Sequence, residues 1–347
     1  MPSGARLTNS YRSIFTVKTK KTLVFFSLGA ALIALILLSI RLGSVFIDRE
    51  SFICALLRRE GFAAQSAIIY TLRLPRTYAG ILAGAGLGLS GVLLQSVTDN
   101  KMASPGLIGV NSGAGFAVIL ALSLPAFPIE LIPISAFGGA FLATLAIIAI
   151  AGRMGMTKNT VVLSGIAFSA ILSAGISLLS LLDADVLVNY NAFSVGSLAG
   201  VDGEGLILPA ILIILSLIAA TFAARRINLL ALGAPIASSL GVRVKALRIF
   251  CMLLASAAAG AAVSAVGLLG FVGLMSPHIA RALVGADARK LIPCTVLVGA
   301  DLVLAADLCG RVIFAPGEMP VGVLMALLGA PFFLGILLTN CKTSFYN

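Results

Sequence analysis

The sequence predicts an all-α, polytopic membrane protein: one compact bundle of about ten transmembrane helices. Three observations predict this fold class. Of the 347 residues, 60% are apolar and only 11% are charged, whereas a water-soluble domain carries about 25% charged residues. The mean hydropathy is +1.12. The apolar residues fall in runs of about twenty, which is the length that a helix needs to cross a bilayer.

The predicted spans follow one another without a long polar linker. We therefore expect a single transmembrane domain over residues 22–340, between short tails at 1–21 and 341–347. The first apolar run follows several basic residues, is longer than a signal-peptide core and lacks a small-residue cleavage site, so we expect it to be retained. The apolar runs lie near residues 22–40, 77–97, 105–124, 129–151, 160–182, 206–224, 249–266, 268–284, 291–309 and 320–339.

Basic residues mark one side of the predicted membrane. With the N-terminus inside and the spans alternating, most of the 24 Lys and Arg residues fall in inside segments. This distribution satisfies the positive-inside rule and, with an even number of spans, leaves both termini in the cytoplasm. The net charge of +11 then follows from topology, and no nucleic-acid partner is needed to explain it.

Seven arginines oppose this rule because they lie in outside segments. Arginine on the outer side works against the orientation signal, so we interpret the group as a docking surface for an acidic partner. The alternative is a solvated loop that contacts lipid headgroups. These residues are Arg41, Arg49, Arg58, Arg59, Arg73, Arg76 and Arg311.

The glycine-rich stretch GILAGAGLGLSG (residues 80–91) predicts close helix packing. It lies inside an apolar span and follows no strand, so it is not a phosphate-binding loop. Gly80, Gly84 and Gly88 share one helix face, and small residues at that spacing let two membrane helices approach closely. No GK[ST] follows a glycine loop anywhere in the sequence. A pump built on this chain must therefore draw its energy from another polypeptide or from an ion gradient.

Two carboxylates lie within the ninth predicted span, where ionisable residues often mark transport pathways. Asp307 precedes Arg311 by four residues, so we expect a local ion pair. Asp301 lies deeper and has two interpretations: a helix–helix hydrogen-bonding group, or the proton site of a gradient-driven secondary transporter. A further class is an intramembrane hydrolase that uses Ser112, but its nucleophile would need a base and the only histidine, His278, lies far along the chain.

The longest inside loop between spans, residues 225–248, contains an apolar piece of the size of a short helix. Gly233 and Gly241 bracket this piece, and Pro235 suits the first turn of a helix. The piece is too short to cross a bilayer. It either lies on the membrane surface or inserts into a cytoplasmic partner, and the sequence favours neither.

Three blocks closely resemble one family of ABC importer permeases, the FecCD-type family, which takes up iron–siderophore complexes, haem and cobalamin. The resemblance covers roughly residues 65–340 and implies the cobalamin/siderophore-type (type II) permease fold with ten spans. The blocks are RLPRTYAGILAGAGLGLSGVLLQSVTDNKMASPGLIGVNSGAG (73–115), GLLGFVGLMSPHIARALVGADARKLIP (267–293) and ADLCGRVIFAPGEMPVGVLMALLGAPFFLGILL (306–338).

The resemblance implies a non-catalytic transport subunit in a bacterial plasma (inner) membrane. A second permease subunit, identical or paralogous, would complete the pore. Two cytoplasmic ATPase subunits would drive transport, and a substrate-binding protein would deliver cargo on the outer side. No cofactor or metal is implied. The expected cargo is an iron–siderophore complex or a related iron chelate, with haem and cobalamin as alternatives, and spans five and ten are expected to line the cavity.

The same resemblance assigns expected roles to individual residues. Arg73, Arg76 and Arg311 correspond to arginines that dock the binding protein. Many relatives carry an acidic residue where this chain has Ala234, so one expected polar contact to the ATPase is absent. The expected ATPase-coupling residues are Leu232, Gly233, Ala234, Ser238, Ser239, Leu240 and Gly241.

The family's PHxxR element ends the eighth span at Pro277, His278 and Arg281. The span is short, and Pro277 is expected to bend or end it. We expect a structural role for His278, namely hydrogen bonds to backbone carbonyls freed near the bend, with Arg281 at the water boundary. Coupling of this element to the ATPase is a further hypothesis. A metal site is not expected, because the chain has no second histidine.

Overall fold

A computed structural model describes residues 4–106 and 108–344, except for the side chains of residues 4–20, 337 and 339–344. Within this part of the chain every regular element is a helix. The predicted tails at 1–21 and 341–347 lie largely outside the described side chains. The predicted domain at 22–340 therefore contains nearly all the residues whose side chains the structure describes.

The helices are introduced here in chain order. A π-helical segment, Ile68–Arg73, joins α3 to α4, and short 3₁₀ turns precede α6 and α9. The α-helices are α1 (Gly4–Arg41), α2 (Arg49–Leu56), α3 (Ala63–Ala67), α4 (Leu74–Thr98), α5 (Val110–Leu122), α6 (Ile132–Arg153), α7 (Lys158–Leu182), α8 (Ala184–Val195), α9 (Ile207–Leu230), α10 (Ala234–Ser239), α11 (Val244–Val266), α12 (Val272–Val284), α13 (Ala288–Ile313) and α14 (Val321–Ser344).

Each of the ten predicted apolar runs coincides with one of these helices. Among the described residues, seven segments are long and apolar enough to cross a membrane, and α5 and the apolar part of α14 are shorter. The eighth predicted span is α12, which has 13 residues with Pro277 inside it. A helix of that length rises about 20 Å, which is less than the hydrocarbon thickness of about 30 Å. The prediction that this span is short is therefore confirmed.

Helix α4 forms the centre of the bundle, packed against α13, α11 and α12. In its most apolar stretch 83% of the residues are buried. A Cβ atom at Gly84 would clash with the carbonyl oxygen of Gly299 in α13, and one at Gly91 would clash with that of Gly273 in α12. The predicted packing role of the glycine-rich stretch is confirmed, because these backbones touch where a side chain would separate them.

An extended segment, residues 267–270, leads from α11 into α12. Its backbone and the last carbonyl group of α11 hydrogen-bond to the end of α8 and the loop that follows. Leu268 N donates to Phe193 O at 3.1 Å, and Ser197 N donates to Val266 O at 2.9 Å. Irregular backbone within a membrane bundle is tolerated where protein buries it and satisfies its polar groups. The segment thus fixes where α12 begins.

Two long helices are little buried by the chain itself. Only 6% of the most apolar stretch of α1 is buried, and only 17% of that of α7. Helix α7 leaves Leu163, Ile171 and Leu181 largely exposed. Extended apolar surface of this kind meets lipid or another protein.

Candidate functional site

Charged side chains gather where α4 begins and α13 ends, on the side that the sequence predicts to be outer. We call Arg73, Arg76, Asp307, Arg311 and Glu318 the outer arginine cluster. The first two lie at the junction between the π-helical segment and α4, the next two are one turn apart in α13, and the last lies in the loop before α14. Three guanidinium groups meet two carboxylates, so the cluster keeps a net positive charge.

Arg76 is the centre of this cluster. Its Nε and Nη2 atoms donate to Asp307 Oδ1 at 3.0 and 2.8 Å, and its Nη1 donates to Glu318 Oε2 at 2.6 Å. Arg311 Nε lies 3.0 Å from Asp307 Oδ2, although this contact is not aligned as a hydrogen bond. The predicted Asp307–Arg311 pair is confirmed. Glu318 was not predicted from the sequence. It could have been noticed as the only acidic residue that follows Asp307.

Arg73 and Arg311 hold the outer end of α1. Arg73 Nη1 donates to the carbonyl oxygens of Ile40 and Arg41 at 2.9 and 2.6 Å. Arg311 donates from Nη1 to the carbonyl oxygen of Ser39 at 3.2 Å and from Nη2 to its hydroxyl at 2.8 Å. The last carbonyls of a helix lack partners within the helix, and a cation there is favoured by the helix dipole. Both arginines therefore anchor a helix that is otherwise little buried.

The three predicted docking arginines differ in how accessible they are. Arg73 and Arg311 are 4% and 2% exposed, while the side chains of Arg76 and Glu318 are 11% and 30% exposed. A docking contact with Arg73 or Arg311 would require the end of α1 to open. The docking role stays a prediction for all three. The arginines that are exposed in this region are Arg41, Arg49, Arg58 and Arg59.

Glu318 is the most accessible member of the outer arginine cluster. Burial raises the pKa of its carboxyl group, but hydrogen bonds from Arg76 and Ser44 outweigh that effect. The net result is a pKa below the ordinary glutamate value of 4.5. At neutral pH Glu318 is therefore ionised. It pairs with Arg76, the most exposed arginine of the cluster.

The short helix predicted between Gly233 and Gly241 is present as α10, and the φ angles of the two glycines are +98° and +82°. Leu232, Ile236 and Leu240 follow one another at four-residue spacing, and each is more than half exposed. We call these three side chains the coupling ridge. Ile236 was not among the predicted coupling residues, although the four-residue spacing is visible in the sequence.

The rest of α10 faces inward or is satisfied locally. Ala237 is fully buried and fixes the helix against the bundle. The hydroxyls of Ser238 and Ser239 donate to the carbonyl oxygens of Pro235 and Ile236 at 2.8 and 2.9 Å. The two serines predicted to couple the ATPase thus use their hydroxyls within α10, and their coupling role, like that of Ala234, stays a prediction.

Asn228 connects the end of α9 to the start of α13. Its Nδ2 donates to Asp287 Oδ1 at 2.7 Å, and its Oδ1 accepts from Ala288 N at 2.7 Å. The hydrogen bond from Asn228 is the main reason that the pKa of Asp287 lies below its ordinary value. Asn228 was not among the predicted site residues. The contact couples the segment that carries α10 to a helix that reaches the outer arginine cluster.

The PHxxR element lies against α4 and α14. Arg281 donates from both Nη atoms to Gln95 Oε1, at 3.2 and 3.1 Å, which joins α12 to the inner end of α4. The ring of His278 packs edge-on against Phe332, with the centroids 5.9 Å apart. Among the described residues the structure gives His278 no hydrogen bond. The expected bond to backbone carbonyls is therefore replaced by an aromatic contact, and Pro277 is buried inside α12.

Asp301 remains the least explained side chain of α13. Both carboxylate oxygens are buried and lack a hydrogen-bond partner among the described residues. The interpretation as a helix–helix hydrogen-bonding group is therefore not supported within this chain. The described residues also contain no group of three His, Cys, Asp or Glu side chains that could hold a metal ion.

Comparison with known proteins identifies what this arrangement belongs to. The chain matches the FecCD transport family over residues 31–339. The Fe(3+)-citrate import system permease protein YfmE of Bacillus subtilis (strain 168) is 36% identical over 326 residues, covering 93% of this chain and 97% of the relative. The ferric enterobactin transport system permease protein FepD of Escherichia coli (strain K12) is 39% identical over 276 residues, covering 78% and 82%.

A solved structure gives the same answer for the fold. It is described as a metal-chelate type ABC transporter in an inward-facing conformation. It superposes with a TM-score of 0.81 at 30% sequence identity and covers 91% of this chain and 98% of its own. The resemblance inferred from the three sequence blocks is confirmed. This all-helical, multi-pass membrane chain belongs to the FecCD transport family.

Proposed function

We propose that this chain is the permease subunit of an ATP-driven importer in a bacterial plasma membrane. We propose as its cargo an iron chelate, foremost an iron–siderophore complex. Membership of the FecCD family supports the transport role. The similarity to a ferric citrate permease and a ferric enterobactin permease supports the cargo class. The chain carries out no covalent chemistry of its own, and ATP is hydrolysed by a separate subunit.

The observation that carries this proposal is the coupling ridge. Leu232, Ile236 and Leu240 form an exposed apolar face on a helix whose opposite side is fixed by the buried Ala237. An apolar helix face of this kind suits a groove on a partner protein. A cytoplasmic ATPase subunit would supply that groove. Each of the two permease subunits would bind one ATPase subunit. Movement of the ATPase during ATP binding and hydrolysis would then be passed to the helices that frame the pathway.

The exposed faces of α7 and α14 support a second permease subunit. Helix α7 is the least buried long helix after α1, and α14 leaves Leu327 and Leu328 more than half exposed. In the proposal these two helices line a central cavity together with their counterparts in an identical or paralogous subunit. Cargo enters this cavity from outside and leaves it inside by alternating access.

The outer arginine cluster supports a substrate-binding protein as the outer partner. Arg76 is its reachable guanidinium, and Glu318 holds it at 2.6 Å. A carboxylate of the binding protein would compete with Glu318 for this position, while the exposed arginines nearby would steer the approach of an acidic surface. Exposed ion pairs contribute about 1 kcal/mol or less each, so steering is their main effect.

The test is transport in a defined system. The chain is reconstituted in proteoliposomes with the ATPase and the binding protein encoded beside its gene, and uptake of ferric siderophore, haem and cobalamin is compared. We expect ferric siderophore uptake that requires internal ATP and both partners. Uptake by the chain alone, driven by a proton gradient, would overturn the transport mechanism. Uptake of haem or cobalamin without ferric siderophore would overturn only the cargo.

Domain organisation and topology belong to the same proposal. A single domain at 22–340 carries both tails on the cytoplasmic side. Cysteine replaces Gly61 (proposed outer side) or Gly285 (proposed inner side) in a cysteine-free background, and each variant is labelled in intact cells with an impermeant maleimide. We expect labelling at position 61 only. Labelling at 285 but not at 61 would reverse the orientation.

A further inference from the structure

A pocket of about 580 Å³ lies between the end of α9 and the beginning of α11, next to the loop that carries α10. Its walls are mainly apolar, and two guanidinium groups are the only charged groups in its lining. One wall is formed by residues 240–242, directly after α10. The lining residues are Ala223, Arg226 and Leu229 of α9, Leu240, Gly241, Val242 and Arg243 of the loop, and Ala246, Leu247 and Phe250 of α11.

Among the described residues, the two arginines of the pocket have no partner of opposite charge. Both Arg226 and Arg243 are exposed, and among the described residues neither takes part in an ion pair or hydrogen bond of its side chain. The sequence contains no Asp or Glu between Glu204 and Asp287. Asp287 itself is engaged by Asn228 at 2.7 Å. The pocket is therefore a positively charged site that is open to an anion.

The pocket continues an exposed apolar surface. On α9 the exposed side chains Leu215, Ile218 and Phe222 lead at three- and four-residue steps to Arg226. Arg243, the residue before α11, precedes Ala246 and Phe250 of that helix at the same steps. These arginines thus end two apolar stripes, near the points where the membrane-crossing segments of both helices end.

We infer that this pocket binds an anionic phospholipid of the inner leaflet, with the phosphate between Arg226 and Arg243 and an acyl chain along Ala223 and Phe250. Basic pockets between membrane helices on the cytoplasmic side suit anionic headgroups, and guanidinium groups match phosphate geometry. A carboxylate of a cytoplasmic protein is less suitable. Ala223 lies three residues and Phe250 seven residues further into the apolar helices than these arginines, a depth that suits an acyl chain better than a water-soluble partner.

The inferred site adjoins the coupling ridge and shares one residue with it. Leu240 belongs to both, because one side of this residue lines the pocket and it also ends the ridge. A bound lipid would therefore support the segment that carries α10. The inference concerns lipid binding alone, so it stands or falls independently of the cargo proposed above.

The absence of tryptophan from the sequence allows a direct test. Phe250→Trp places a single tryptophan in the pocket of the full chain, which is reconstituted in phosphatidylcholine with a small fraction of brominated phosphatidylglycerol or brominated phosphatidylcholine. We expect the anionic lipid to quench the fluorescence with about tenfold higher apparent affinity, as two arginines near the membrane surface suggest. Arg226→Gln with Arg243→Gln should abolish this preference.

Matched controls separate this site from other sources of attraction. Arg153→Gln with Arg289→Gln removes the same charge from exposed inner positions and should keep the preference. Equal quenching by both lipids, or an equal loss in this control, would overturn the inference. Displacement by excess inorganic phosphate would show a site for a free anion, and displacement by the ATPase a protein contact; either result would also overturn it. Native mass spectrometry of the chain without the Trp substitution, counting retained phosphatidylglycerol, repeats the comparison should Phe250→Trp not fold.

Discussion

The outer arginine cluster and the coupling ridge lie at opposite ends of the bundle and are built in opposite ways. In the outer cluster, charged groups are largely buried and find their partners within the chain, through contacts between residues far apart in sequence. In the coupling ridge, apolar groups are exposed, and no described residue covers them. The difference indicates that one end is completed by folding, whereas the other, in our proposal, is completed by a partner. The predictions below test that contrast, from the largest expected effect to the smallest.

The first prediction concerns the carboxylate on which the outer cluster depends. Asp307→Ala would leave Arg76 and Arg311 without their shared buried partner. Breaking a buried pair by removing one member costs about 3–5 kcal/mol, so we expect a large fall in the melting temperature of the detergent-solubilised chain. Glu60→Ala removes an exposed acid and serves as the control. Equal melting temperatures in the two variants would contradict the contrast.

The second prediction concerns the coupling ridge. Leu232→Asp with Leu240→Asp should leave the melting temperature unchanged, because both side chains are already exposed. Binding to the partner ATPase should weaken by about tenfold or more, as for anchor residues of protein interfaces. Leu57→Asp is the control, since it makes the same change at a similarly exposed side chain on the proposed outer side. The ridge would lose its assigned role if ATPase binding, measured by surface plasmon resonance, were unaffected.

The third prediction separates exposed from buried arginines at the outer end. Arg59→Gln should slow association with the binding protein by about fivefold or less, and added salt should reduce the difference. Arg73→Gln should instead lower the melting temperature, because it removes the hydrogen bonds to the end of α1. Stopped-flow association and thermal melting are measured on both variants. The opposite assignment of effects would show that α1 opens during docking.

The fourth prediction uses the titration of Glu318, whose pKa is lowered in the folded chain. A lowered pKa contributes stability that is present above the ordinary value of 4.5 and is lost as the pH falls through the lower folded value. We expect the melting temperature to fall with acidification below 4.5, and Glu318→Gln to show a shallower fall. Asp287 also has a lowered pKa, so only the difference between the two proteins reports Glu318. Parallel curves would contradict the prediction.

The fifth prediction carries the smallest effect. Asp301→Asn keeps the shape of the side chain and removes its charge. Transport driven by an ATPase should continue at nearly the original rate, because no described group depends on the charge of Asp301. Loss of uptake in proteoliposomes, with unchanged melting, would restore the gradient-driven mechanism that the sequence left open.

The parts of the fold that were predictable are those set by local periodicity. Apolar runs located ten of the helices, and the glycine-rich stretch at 80–91 located close contacts of α4 with α13 and α12. Helices α2, α3 and α8 were missed, because they are short and their sequences are only partly apolar. The Asp307–Arg311 pair was predicted because it is local.

Contacts between distant parts of the chain could not be read in the same way. The partner of Arg76 lies 231 residues away, and nothing in its neighbourhood indicates which acid it meets. Asn228 was not among the predicted site residues. Its role arises only because the end of α9 lies beside the beginning of α13. The burial of Arg73 and Arg311 was hidden for a related reason: a charge census treats every arginine of an outer segment as exposed.

The bonds of Asn228 to the first residues of α13 have a mechanical consequence. Helix α13 runs from Ala288 to Ile313 over 26 residues, which corresponds to a rod of about 39 Å. One end of the rod is hydrogen-bonded to the segment that leads into α10, and the other end carries Asp307. A tilt of about 5° about its midpoint would displace each end by nearly 2 Å in opposite directions. In the proposed importer, docking of the binding protein at the outer end and ATP hydrolysis at the inner end would then act on the same rigid helix.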